Sequence, residues 1–116
     1  MIQVKRVYER PSEPDGLRIL VDRLWPRGIA KARAPFGTWA RELAPSPQLR
    51  IWYGHDPARF DEFTRRYRQE LDGTLAQAGV AQLRRRARAG GLVLVTAARD
   101  LEHSAARVLG AVLREA

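Results

Sequence analysis

The chain has no cysteine, one methionine and only two histidines. No apolar run approaches the roughly 20 residues needed to cross a bilayer, so no membrane association is expected. Without cysteine there is no disulfide, no thiolate nucleophile and no cysteine-based zinc site. His55 and His103 stand far apart, so a metal site would need carboxylates as well; neither a metal nor a cofactor is expected. The phosphate loop Gly-x-x-x-x-Gly-Lys-Ser/Thr, the fingerprint Gly-x-Gly-x-x-Gly, the elbow Gly-x-Ser-x-Gly and the pair His-Glu-x-x-His are all missing. Their absence argues against nucleotide-dependent phosphoryl transfer and serine-triad hydrolysis. Lysine is scarce too: of 21 basic residues, all but Lys5 and Lys31 are arginine. Beside so many alanines this bias fits a GC-rich genome, which weakens the nucleic-acid meaning of a net charge of +8. Met1-Ile-Gln-Val-Lys5 reads as a charged strand rather than a signal peptide, so a cytoplasmic protein is expected.

What is present fits one soluble domain over residues 1–116, with 45% hydrophobic and 29% charged residues and enough length for a single core. The organising stretch is Arg18-Ile-Leu-Val-Asp-Arg-Leu-Trp-Pro-Arg-Gly28. Ile19, Leu20 and Val21 suit a strand covered on both faces. Asp22 and Arg23 fall where it should end, Pro26 stops further pairing, and Gly28 supplies a turn. An acid, two arginines and a tryptophan at a buried strand's exit have the pattern of a binding site.

Before it, Ile2 to Tyr8 alternates like a half-buried strand, and Glu9 to Gly16 reads as a loop. That link is too short for a crossover helix, which favours an antiparallel neighbour for the next strand. Residues 29–35 read as irregular and exposed. Phe36 to Leu43 is a short helix candidate with Trp39 and Leu43 on one face. Ser46-Pro47 starts a brief helix ending at Gly54. Asp56-Pro57 starts another to about Asp72, with Phe60, Phe63, Tyr67 and Leu71 as its apolar stripe and a wet arginine face. Thr74 to Ala89 is a third, with Leu75, Val80 and Leu83 inward and Arg84, Arg85, Arg86 and Arg88 near its end, where cations suit the helix dipole. Leu92 to Thr96 is the clearest buried strand, and Asp100 caps a last helix.

This order predicts a small two- or three-layer α/β domain, with a short, mostly parallel sheet of about three strands and about five helices. The strands at 17–22 and 92–96 pair in parallel, so their carboxyl ends share one edge, where open α/β sheets bind ligands. Asp22, Arg23 and Arg27 then meet Thr96, Arg99 and the start of the last helix, an arrangement suited to phosphate or carboxylate. Asp22 either serves as acid or base, with Glu70 or Asp100 as the tempting second carboxylate, or only pairs with Arg23 or Arg27 to hold the turn. His55 is a general-base candidate or a turn residue. Trp25 stacks on a ligand ring or packs over the sheet edge. Arg27 and Lys31 are placed to face an anion. Ser46 is most simply a helix cap, and Tyr67 a core residue with its hydroxyl at the rim.

These motifs carry a resemblance. The 18–28 stretch with Lys31, Trp39, Leu43-Ala-Pro-Ser46, Leu49-Arg50, His55-Asp56-Pro57, Phe63, Tyr67 and Glu70-Leu71 resembles the YeaO-like family, domain of unknown function 488, across essentially the whole chain. The resemblance implies a small bacterial or archaeal α/β protein and no particular activity. Val95-Thr96-Ala97 and His103-Ser104 stand where that family usually has an aromatic and an asparagine-containing polar run. Two functional readings follow: a site for a small anionic ligand, a nucleotide or other phosphorylated metabolite, possibly with catalysis; or a nucleic-acid-binding module using the arginines of residues 59–68 and 84–88.

Overall fold

The computed structural model describes residues 1–10 and 16–115. Strands β1 (Ile2–Arg6), β2 (Leu17–Leu20), β3 (Thr38–Trp39) and β4 (Leu92–Thr96) form one sheet in the order β1-β4-β2-β3, and every neighbouring pair is parallel. The helices are α1 (Pro47–Tyr53), α2 (Phe60–Leu71), α3 (Thr74–Gly90) and α4 (Ala105–Arg114), with single 3₁₀ turns between elements. The small α/β domain with a parallel β2–β4 pair matches the sequence pattern.

β4 is buried at all five positions because both its faces are covered. On one face Leu92 and Leu94 join Ile19 and Val21 and the inward stripes of the helices, including Phe63, Tyr67, Leu83 and Leu109. On the other, Val93 and Val95 join Leu20 and Val7 under Trp25, Ile29, Phe36 and Trp39. The helices therefore share one side of the sheet, and the 24–39 segment roofs the other with aromatic rings.

The structure departs from the sequence pattern at several points. β1 and β2 are not antiparallel neighbours: β4 lies between them and both run parallel to it, and the loop reading of residues 11–15 falls outside the described residues. Residues 36–43 are not a helix. Gly37 and Ala40 donate main-chain hydrogen bonds to the carbonyls of Arg18 and Leu20, so pairing with β2 extends this segment into β3 before a 3₁₀ turn at Arg41–Leu43. Leu75 is 87% exposed, since it sits in the first turn of α3 beyond the core. Asp100 caps a 3₁₀ turn, Leu101–His103, while α4 is capped by Ser104, whose Oγ accepts from Arg107 N.

The helix start at Ser46 forms as read, while Asp56 caps a 3₁₀ turn, Pro57–Arg59, that leads into α2 at Phe60. Ser46 Oγ accepts from Leu49 N, and Asp56 accepts from Ala58 N ahead of α2. Glu70 reaches from α2 to the Ser46 amide and hydroxyl at 2.8 and 2.6 Å, fixing α1 against α2. Tyr67 is buried completely, with its hydroxyl donating to Leu43 O inside the core rather than at a rim. Burial pushes that phenol well up, so it stays a proton-bearing donor.

Candidate binding cleft

The strand ends set the site. Val21 still donates to Val95 O, so β2 and β4 run side by side to the point where Asp22 leaves the sheet. There Asp22 accepts from Thr96 Oγ1 at 2.6 Å and from Ala97 N at 2.8 Å. Asp22 therefore ties β2 to β4; no ion pair joins it to Arg23 or Arg27 among the described residues. From the other flank Arg6, at the end of β1, donates to the carbonyls of Ala98 (3.1 Å) and Ala97 (3.3 Å). One carboxylate holds the amide side of the 96–98 turn and one guanidinium its carbonyl side. The turn is pinned between them, and exposed Arg99 follows directly.

A cleft of about 940 Å³ opens over these strand ends. Asp22, Arg23, Trp25, Arg27, His55 and Arg99 all line it, so six of the seven residues singled out in the sequence meet there. Lys31 does not. It lies exposed in the 3₁₀ turn Lys31–Arg33, away from the lining, because the chain turns off at Gly28 (φ +77) to roof the sheet. The sequence reading missed Arg6, Tyr8, Arg50 and Tyr53, which also line the cleft; of the two carboxylates considered beside Asp22, Asp100 lines it and Glu70 does not. The available signal was positional: if β1 is parallel to β4, its terminal Arg6 and Tyr8 must reach the same edge.

The lining groups differ in how far they are already engaged. Arg23 donates to Pro45 O (2.9 Å) and Ala44 O (3.3 Å), which anchors the cleft wall to the segment before α1. Trp25 donates to Ile29 O and packs on Phe36 and Trp39 at 5.2 and 5.5 Å between ring centres, so it is a packed side chain with an edge on the cleft. Arg27, Arg50 and Arg99 are exposed and have no side-chain hydrogen bond or ion pair among the described residues. His55 sits at the rim at φ +55 after Gly54, also at φ +55, a left-handed pair that is unusual for a non-glycine residue. Asp100 Oδ2 contacts His103 Nδ1 at 2.7 Å, and the histidine holds its carboxyl below the usual range.

Charge in the cleft is asymmetric. Five arginines face two aspartates, an excess of three positive charges. Tyr53 is pushed up to about 12 by burial, with Asp100 and Asp56 adding to the effect, so its hydroxyl remains a donor, here to His103 O. Among the described residues no cluster of three or more histidines and carboxylates is placed to hold a metal ion.

Burial also lifts the Asp22 carboxyl above its usual value of 3.8, opposed by the hydrogen bonds from Ala97 and Thr96 and by nearby His55. The folded chain thus binds this proton more tightly than the unfolded chain. Keeping Asp22 ionised costs stability above its raised folded value, and the cost vanishes as pH falls below 3.8. Measured against Asp22→Asn, the wild type should gain relative stability between about pH 7 and about pH 4. Melting both proteins across that range tests this; a gap that stays constant, or that widens against the wild type in acid, contradicts it.

The arginine faces of the helices are engaged differently from the cleft. On α2, Glu62 pairs with both Arg65 and Arg66 at 2.7 Å, and Arg68 pairs with Glu115 at 2.8 Å. Arg59 and Arg66 also lie over the Trp52 ring, at 5.3 and 4.3 Å from its centre. On α3, Arg84 donates to Val112 O, while Arg85, Arg86 and Arg88 are exposed.

A family model described as "Inactive DUF488-N3 subclade" matches residues 1–116. The chain is similar to the uncharacterized protein Rv3073c of Mycobacterium tuberculosis (strain ATCC 25618 / H37Rv), at 45% identity over 112 residues, 97% of this chain and 92% of the relative. The uncharacterized protein Mb3100c of Mycobacterium bovis matches to the same extent. The uncharacterized protein YeaO of Escherichia coli (strain K12) is 44% identical over 70 residues, 60% of this chain and 61% of that protein. No solved structure matches the chain. No helix is long and apolar enough to cross a membrane among the described residues.

Proposed function

The chain belongs to the YeaO-like DUF488 family, in the subclade described as inactive, and from that premise we propose that it binds a small anionic molecule, a nucleotide or other phosphorylated metabolite, at the carboxyl ends of its strands. The observation that carries this reading is the set of three uncommitted guanidinium groups, Arg27, Arg50 and Arg99, around one cleft of about 940 Å³. That size is within the range of small-molecule sites. Guanidinium groups recognise phosphate oxygens bidentately, and the pinned 96–98 turn fixes the backbone from which Arg99 projects at the mouth.

The subclade's description favours binding over turnover. Asp22 then acts as an acceptor for a ligand hydroxyl, and His55 as a polar group on the rim. Catalysis by this pair needs a bound substrate within hydrogen-bond reach of both. The nucleic-acid reading draws less support from the geometry, because the α2 arginines are already paired with Glu62 and Glu115. What remains to it is the exposed end of α3.

Thermal melting with a panel of phosphorylated small molecules, and with duplex DNA at low and high salt, separates the readings. A bound ligand at about 100 times its Kd should add about 2.7 kcal/mol, a rise of about 10 °C. If only DNA stabilises the protein, and the effect collapses with salt, the cleft reading fails.

A further inference from the structure

We propose that the cleft's ligand carries a flat aromatic ring that stacks on Tyr8, so that the ligand class is a purine or pyrimidine nucleotide; this rests on the anion-binding reading above. Tyr8 lines the cleft yet is 47% exposed, which is a large area for an aromatic side chain held in place on several sides. Its hydroxyl donates to Arg27 O at 3.0 Å. The Arg6 guanidinium lies over the ring, 5.0 Å from its centre, and is itself fixed to the carbonyls of Ala97 and Ala98. One ring face rests on that cation and nearly half the side chain meets solvent.

A ring so fixed has already lost its rotational freedom, so stacking on it costs little further ordering. Leu24, 56% exposed on the same lining, adds an aliphatic edge. The three parts of a nucleotide then find matching chemistry in one cleft. The base meets Tyr8, a sugar hydroxyl has the Asp22 carboxylate as acceptor, and the phosphate has Arg27, Arg50 and Arg99. The plain alternative is that Tyr8 only ties the exit of β1 to the Arg27 turn. That role needs the hydroxyl but gives no reason for a ring-bearing ligand to be preferred.

Calorimetric titration of adenosine monophosphate, uridine monophosphate and ring-free ribose 5-phosphate into the wild type, Tyr8→Phe and Tyr8→Ala separates the two roles. The wild type should bind a nucleotide about tenfold more tightly than ribose 5-phosphate. Tyr8→Phe, which loses the hydroxyl bond to the Arg27 turn but keeps the ring, should keep most of that preference, whereas Tyr8→Ala should erase it and bring the nucleotides down to the level of ribose 5-phosphate. Equal affinity for all three in the wild type, or an equal loss for all three in Tyr8→Ala, overturns the ring-stacking inference and leaves the anion site standing. If none of the three binds, both readings fall. Binding of a single-stranded oligonucleotide with none for the mononucleotides overturns the inference in favour of a nucleic-acid strand.

Discussion

Gly16→Ala should leave the protein unfolded under conditions where the wild type is stable. A Cβ at Gly16 would lie 2.2 Å from Gly91 O, 2.3 Å from Gly91 C and 2.8 Å from Gly90 O. These are backbone atoms and cannot swing aside as a side chain could. Gly91 sits at φ +87 where α3 turns into β4, and its carbonyl accepts the amide of Leu17. Relieving the clash therefore pulls apart the starts of the two central strands, whose parallel pairing builds the cleft. The expected loss is on the order of 3–5 kcal/mol, a large share of a typical domain's stability. Gly28→Ala is the control: it also meets a positive φ, +77, but no atom lies within 4 Å of its added Cβ, so the cost should be only about 1 kcal/mol. Urea denaturation of both variants gives the comparison. Equal and small losses would mean that the approach of Gly16 to Gly91 is not made in solution.

The double variant Arg27→Ala with Arg99→Ala should weaken binding of a phosphorylated ligand by at least about a hundredfold, since each charged hydrogen-bonding group contributes about 1.5–3 kcal/mol. Its stability without ligand should change by no more than about 1 kcal/mol, because both side chains are exposed and engage no partner among the described residues. The Arg27 carbonyl still accepts from Tyr8, so the turn keeps its anchor. Arg85→Ala with Arg86→Ala serves as the comparison and should leave affinity within about twofold, because those side chains are on α3 and do not line the cleft. Calorimetry on both pairs is decisive: undiminished binding in the first, with loss in the second, would move the site to the helical arginines.

The parts of this fold that could be read in advance are those dictated by local chemistry. Ser46-Pro47 and Asp56-Pro57 mark their helices through caps and fixed φ, and the apolar run of β4 could only be a strand covered on both faces. Once β2 and β4 were taken as parallel, Asp22, Arg27 and Arg99 had to reach one edge. Long-range pairing was harder to see. Nothing local in residues 36–43 announces β3, which exists because the carbonyls of Arg18 and Leu20 need partners along the outer side of β2. The direction of β1 was misjudged because connection length alone cannot show that a third strand separates two others. The same error hid Arg6 and Tyr8 from the site. Asp22, read either as an acid or base or as the partner of Arg23 or Arg27, accepts from a hydroxyl and an amide at the end of β4, a partnership visible only once the register is known.

The most direct test is an amide-resolved NMR titration with adenosine monophosphate. The largest shifts are expected at Ala97, Ala98 and Arg99 and at residues 22–28, with little change along α3. Shifts confined to Arg84, Arg85, Arg86 and Arg88, with the 96–99 turn silent, would contradict it.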